Sequence, residues 1–285
     1  MKAAILGSPI AHSLSPVLHR AAYTAVGLTG WTYESIECDE AGLPALVARC
    51  GADWAGLSLT MPLKRAILPL LDRVDPLAAA VGGVNTVVFV RGRRHGYNTD
   101  VAGIVDALAA VGLTEPRSAV ILGAGATACS AMAALRETGL CAVTVEARDE
   151  TRAAGLLAVA QRLGVRVDLR PLGSPGGLAG KDVLISTVPA GAADPYAMRT
   201  CAGETPSAVF DVVYAPWPTS LALAAEKAGA VVIGGFDLLL HQAGGQFELM
   251  TGRRPAPLGA MRAAGLAELD RRAAGAVSSQ GAVPS

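Results

Sequence analysis

The chain has 285 residues, 52% of them apolar and 17% charged, which is enough to bury two modest cores and too apolar for a disordered chain. Its 24 basic and 24 acidic residues balance and are scattered, so no electrostatic footprint for nucleic acid or an anionic membrane is present, and a small-molecule partner is expected. Five cysteines (Cys38, Cys50, Cys129, Cys141, Cys201) form no C-x-x-C pair and read as reduced thiols; no apolar run suits a signal peptide or a membrane span, so a cytoplasmic protein is expected.

From the start, short apolar runs alternate with helical periodicity: Ala3 to Leu6, Pro16 to Val26, Trp31 to Glu37, Glu40 to Cys50, Trp54 to Leu59 and Pro62 to Leu71. This βαβαβα order predicts a mixed, mainly parallel α/β domain. Thr86 to Val90 and His95 to Tyr97 flank Arg91-Gly92-Arg93-Arg94 as a hairpin that closes its sheet. A helix from about Asp100 to Val111 then leaves it.

A second unit opens with the apolar strand Ser118 to Leu122, followed by a glycine turn, a helix to about Thr138 and a strand Ala142 to Val145. Further strands are expected at Val183 to Ser186, Ala208 to Val213 and Val231 to Ile233, giving a Rossmann-type, doubly wound dinucleotide-binding domain. Helices from about Leu238 to Met250 and Gly259 to Ala274 have no strand to follow and are expected to return to the first domain. The expected division is therefore 1–100 completed by 238–275, with 101–237 as the second domain and 276–285, rich in Ser, Gly and Pro, as a disordered tail.

Gly123-Ala124-Gly125-Ala126-Thr127-Ala128 is G-x-G-x-x-A between a strand and a helix. The first Gly permits the turn, the second lets backbone approach a pyrophosphate, and the small last residue lets helix and strand pack closely. Helix N–H groups then face the phosphates, which implies a nicotinamide dinucleotide. About twenty residues on, where the ribose is read, the signals conflict. Glu146 would accept from a 2′-hydroxyl and favour NAD, whereas Arg148 and Arg152 would pair with a 2′-phosphate; two arginines tip the balance to NADP.

Only four lysines stand against 20 arginines, so Lys64 draws notice. Pro62 is expected at the first position of its helix, where a cation is disfavoured and an acid–base role is open to the amine. Asp100 is either its partner or the N-cap of the following helix. Ser13 and Ser15 precede a helix that has Pro16 at its start; Ser15 is an expected N-cap, and the pair with the helix N-terminus could receive a carboxylate. His12, His19, His95 and His241 show no ligand spacing, and no metal is implied.

Taken together, Gly7 to Pro16, Leu59 to Lys64, Gly83 to Thr86, Gly96 to Gly103, the glycine turn, Ser186 to Gly191 and Asp211 to Tyr214 resemble the shikimate dehydrogenase family. Gly235 to Gln242, Phe247 and Thr251-Gly252 continue the order, so the resemblance runs to about Pro255. It implies reversible NADPH-dependent reduction of 3-dehydroshikimate to shikimate, in the shikimate pathway of chorismate and aromatic amino acid biosynthesis, by a monomer or homodimer. Lys64 and Asp100 would form the catalytic pair. Ser13 and Ser15 would bind the carboxylate, with Thr60, Asn85, Tyr214 and Gln242 lining the ring. Ser186, Thr187, Val188, Val212 and Gly235 would face the nicotinamide half of the cofactor, and Arg148 falls on the family's NADP-motif arginine.

Departures from the family pattern are Ser58 for an Asn, expected to change packing only, Ala147 and Asp149 for the Asn and Thr around Arg148, and Leu238 for a Met. Two rival readings follow. One is an NAD-dependent quinate/shikimate dehydrogenase, kept open by Glu146. The other is a non-catalytic ligand-sensing regulator of the same fold, disfavoured by intact Lys64 and Asp100.

Overall fold

The computed structural model describes residues 1–280. The chain runs β1 (Lys2–Gly7), α1 (Ser15–Ala25), β2 (Thr32–Glu37), α2 (Leu43–Ala48), β3 (Trp54–Leu59), α3 (Leu63–Ala66), β4 (Arg73–Val74), α4 (Pro76–Val81), β5 (Thr86–Val90), β6 (Arg93–Tyr97) and α5 (Thr99–Ala110). It continues β7 (Ala119–Leu122), α6 (Ala126–Glu137), β8 (Ala142–Ala147), α7 (Glu150–Leu163), β9 (Arg166–Pro171), β10 (Val183–Ser186), α8 (Asp194–Cys201), β11 (Ala208–Asp211), α9 (Ser220–Lys227), β12 (Val231–Gly234), α10 (Gly235–Thr251) and α11 (Leu258–Gln280). Two compact units result: Met1–Val74 with Val84–Tyr97 and the chain from Ala243 on, and Asp75–Gly83 with Asn98–Gln242.

In the first unit the sheet order is β2-β1-β3-β5-β6-β4. β1 pairs in parallel with β2 and β3, while β5 runs antiparallel to β3 and to β6. The hairpin turn is Arg91–Gly92, both at positive φ, which is the two-residue geometry that matches strand twist. Pro69 interrupts the helix expected over Pro62 to Leu71, leaving the one-turn α3 and a 3₁₀ turn at Leu68–Leu70. α11 reaches Gln280, into the segment expected to be a disordered tail; residues 281–285 lie outside the described residues.

In the second unit the sheet is wholly parallel, in the order β12-β11-β10-β7-β8-β9. Ile121, Val145, Ile185 and Phe210 bury one face, and Val120, Leu122, Leu184 and Val209 the other. This two-sided burial is why β7 reads as an unbroken apolar run and β10 and β11 are apolar up to their last residue. β9 escaped the sequence reading because it is an edge strand carrying Arg166, Asp168 and Arg170.

The boundaries differ from those expected. α4 belongs to the second unit: Val81 lies in its core, and Arg162 Nε donates to the Ala80 carbonyl at 2.8 Å. Asn98 to Asp100 also fall in the second unit, and α10 passes between units after Gln242.

Candidate active site

The second unit presents the glycine turn at the C-terminal end of β7. Gly123 has φ +102°, and a Cβ there would lie 2.6 Å from Thr187 Oγ1, so a side chain is excluded twice over. Thr187 is held against the turn by its N–H and Oγ1, which donate to the Leu122 carbonyl at 2.9 and 2.7 Å. Gly125 is the N-cap of α6 and supplies no side-chain cap, so the first-turn N–H groups of Ala126, Thr127 and Ala128 suit an anionic ligand, while that of Cys129 closes the first helical bond onto the Gly125 carbonyl at 3.1 Å. Ala128 is fully buried, giving the close helix–strand packing that a small residue allows.

Ser186, Thr187 and Val188 follow one another at the end of β10, and the Val212 N–H donates to the Ser186 carbonyl at 3.0 Å. A Cβ on Gly235 would overlap the Val212 carbonyl. These residues therefore line the carboxyl ends of adjacent parallel strands, beside the glycine turn, which is where doubly wound sheets bind ligands. Asp211, left without a role by the sequence reading, is buried there; it accepts from Thr219 Oγ1 at 2.7 Å and from the Val213 N–H at 3.2 Å, and burial pushes its carboxyl up. The glycine cradle and the uncapped helix suit a dinucleotide pyrophosphate.

The ribose-reading end of β8 corrects one expectation. Glu146 is 1% exposed, and its carboxylate accepts from the Tyr196 hydroxyl and, at 3.1 Å, from the Gly173 N–H. Its burial and these two donors make it an internal acceptor rather than the ribose ligand expected. Arg148 is exposed just beyond β8. Asp149 caps α7, accepting from the Thr151 N–H at 2.8 Å and its hydroxyl at 2.5 Å. The side chain of Arg152 lies outside the described residues.

Asp100 sits in the first turn of α5, 5% exposed. Asn98 caps this helix, its Oδ1 accepting from the Asp100 and Val101 N–H groups at 3.0 and 3.3 Å. Capping therefore no longer accounts for the buried carboxylate. Gln242 lies on α10, where its backbone N would be 2.9 Å from a Cβ on Gly103 of α5, and its side chain donates to the Leu239 carbonyl. Tyr214 is half-buried after β11.

In the first unit, Ser13 and Ser15 stand at the start of α1. Ser15 is not the N-cap: Leu14 takes that position already in helical φ/ψ, and Ser13 Oγ accepts from the Ser15 N–H at 3.2 Å. Arg272 of α11 donates to the His12 carbonyl at 2.7 Å and bonds Glu268 at 2.6 Å, tying down this loop. Thr60 ends β3, its N–H bonded to the Leu6 carbonyl at 2.9 Å; a Cβ on Gly7 would overlap its methyl. Pro62 is the N-cap of α3 rather than its first residue, and four helical residues carry little macrodipole. Lys64 is half-buried on that turn, and its carbonyl accepts from the Val84 N–H at 2.8 Å, joining it to the Asn85 loop. Asn85 is buried, its Oδ1 accepting from Thr86 Oγ1 at 2.8 Å.

Behind this wall lies a buried polar network. Tyr33 Oη donates to Ser58 Oγ at 2.6 Å, and Ser58 Oγ donates to Gln246 Oε1 at 2.8 Å. Gln246 Nε2 donates to the Asn85 carbonyl at 3.1 Å. His19 stacks on Tyr33 with centroids 4.0 Å apart and meets Gln246 Oε1 at 3.4 Å; burial lowers its pKa to about 4 and keeps it neutral. Ser58 thus does more than alter packing. No local pattern announces Gln246, since its partners lie far away in sequence.

The structure places Ser13, Ser15, Thr60, Lys64 and Asn85 in the first unit, and Asp100, Tyr214, Gln242 and the residues expected to meet a cofactor in the second. Among the described residues no cluster of three or more His, Cys, Asp or Glu could hold a metal, and no helix is long and apolar enough to cross a membrane.

A family model for the shikimate dehydrogenase substrate binding domain matches residues 5–87. A shikimate dehydrogenase (NADP(+)) from Citrifermentans bemidjiense is 40% identical, covering 94% of this chain and 95% of that protein. Mycobacterium tuberculosis shikimate dehydrogenase superimposes with a TM-score of 0.85 at 44% identity, over 93% of this chain and 99% of that one. The Thermus thermophilus shikimate 5-dehydrogenase solved with NADP(H) and shikimate gives a TM-score of 0.81 at 35% identity, over 93% and 98%.

Proposed function

The chain belongs to the shikimate dehydrogenase family, and we infer from that membership and the site that it catalyses the reversible NADPH-dependent reduction of 3-dehydroshikimate to shikimate. The nicotinamide supplies and accepts the hydride. Lys64 takes the proton of the substrate hydroxyl as it becomes a carbonyl and returns it in the reverse direction. Asp100 accepts from a substrate hydroxyl. Ser13 and Ser15 donate to the substrate carboxylate, Ser15 beside the helix N-terminus. Thr60, Asn85, Tyr214 and Gln242 orient the ring by its hydroxyls.

On the cofactor side, Gly123 to Ala128 cradle the pyrophosphate, Arg148 and Arg152 meet the 2′-phosphate, and Ser186, Thr187, Val188, Val212 and Gly235 flank the nicotinamide. The internal commitment of Glu146 supports NADP over NAD, because its carboxylate is taken up by the Tyr196 hydroxyl and the Gly173 N–H rather than offered to a ribose 2′-hydroxyl. Balanced, scattered charge supports an enzyme without a nucleic-acid partner, and we read it as cytoplasmic and monomeric or homodimeric.

The observation that carries the catalytic assignment is Asp100: a buried first-turn carboxylate whose capping duty is performed by Asn98. Initial rates with shikimate and quinate, each against NADP and NAD, test the whole reading. Shikimate with NADP should dominate; no turnover in that pair, or faster turnover of quinate with NAD, would sink it.

A further inference from the structure

The proposed ring-binding residues Thr60 and Asn85 lie just past the end of a strand pairing. β3 and β5 run antiparallel, and Ser58 opposite Thr86 is the last pair of their ladder. Beyond it the Leu59 N–H donates to the Asn85 carbonyl at 2.8 Å. A second bond reaches the same carbonyl from α10, given by Gln246 Nε2 at 3.1 Å. The other end of that amide accepts from Ser58 Oγ, two residues before Thr60. One buried amide, 2% exposed, therefore clamps both strands where they leave the ladder. Its two ends do opposite work. The oxygen must accept and the nitrogen must donate, since a carbonyl can only accept.

We propose that Gln246 is a positioning residue for substrate: it touches no ligand, and acts through Ser58 and the Asn85 carbonyl to hold Thr60 and Asn85 at their working separation. Tyr33 extends the clamp toward the carboxylate-binding end, since it bonds Ser58 and its hydroxyl interacts with Ser15. The role rests on the reading of the first unit as the shikimate-binding one.

Gln246→Glu separates positioning from bulk packing. A protonated glutamic acid copies the amide, accepting from Ser58 and donating to Asn85, whereas the ionised form cannot donate. Burial raises the new carboxyl's pKa, while Ser58 Oγ and His19 Nε2, 3.4 Å from the Gln246 oxygen, lower it, so the pH at which it ionises is read directly from its infrared carboxyl absorption. We expect the variant-to-wild-type ratio of KM for shikimate to be close to unity while that carboxyl is protonated and to rise about tenfold once it ionises, the loss of one buried hydrogen bond. The KM for NADP should stay within about twofold of wild type throughout. Gln246→Met, which keeps the volume and lacks both bonds, should show the raised shikimate KM at every pH. A shikimate KM unchanged in both variants, or shikimate and NADP constants rising together, would overturn the positioning role. Wild-type enzyme that fails to oxidise shikimate with NADP would instead overturn the activity on which the role rests.

Discussion

The two units present ligands with surfaces of opposite construction. In the second unit the proposed cofactor face is made by leaving side chains out: Gly123, Gly125 and Gly235 expose backbone at strand ends and at the start of α6, and the sheet behind them is apolar on both faces. In the first unit the proposed substrate face is made of side chains, Ser13, Ser15, Thr60, Lys64 and Asn85, with a buried polar network behind several of them. A backbone cradle is broken by adding atoms, while a side-chain wall is broken by removing or recharging polar groups. Damage to the first should appear in the cofactor constants. Damage to the second should appear in turnover, substrate constants and acid stability.

The largest break in this contrast is Lys64→Ala, expected to lower kcat roughly 10²–10⁴-fold with NADP affinity retained, by steady-state kinetics and cofactor titration. Unaltered kcat would remove Lys64 from the chemistry.

Next in size is acid sensitivity of the first unit. His19 has a native pKa of about 4 against 6.5 when exposed, so its contribution is complete above pH 6.5 and is lost as pH falls through 4. Its full contribution is on the order of 3 kcal/mol. Thermal unfolding of wild type should therefore lose more Tm between about pH 7 and pH 5 than His19→Phe, which keeps the stack on Tyr33 and cannot titrate. Equal losses in both proteins would place the acid lability elsewhere.

On the cofactor side, Gly123→Ala puts a methyl against Thr187 Oγ1 at positive φ, and NADP binding should weaken by about 10- to 100-fold with a much smaller change in shikimate KM. The mildest change is Arg148→Ala. It should weaken NADP by about tenfold and leave NAD nearly unaffected, as loss of one exposed phosphate contact does. Equal effects on the two cofactors would show that Arg148 does not read the 2′-phosphate.

The legible parts of this protein were those whose cause is local. β7, β10 and β11 could be read as strands because burial on both faces makes nearly every residue apolar, Ser186 and Asp211 at the carboxyl ends excepted, and the glycine turn because its small residues are spaced within six positions between a strand and a helix. Lys64, Asp100 and the serine pair are proposed through the family resemblance more than through physics. The expected caps were misplaced by one or two residues: Leu14 rather than Ser15 holds the N-cap position of α1, and Asn98 caps α5 with the acceptor chemistry that Asp100 also offers. β9 and β4 were missed because edge strands carry charge or are too short to show alternation.

Composition and local pattern by themselves determined an α/β chain with a dinucleotide turn, a candidate lysine and a candidate carboxylate site, because strand burial, turn geometry and helix starts are written in neighbouring residues. Only the tertiary structure decided that α4 joins the second unit, that Glu146 turns inward to Tyr196, and that Gln246 clamps Ser58 and Asn85. Ser58 and Gln246 are separated by 188 positions, and a buried hydrogen bond between them depends on how α10 packs against β3 and β5, which no local spacing encodes.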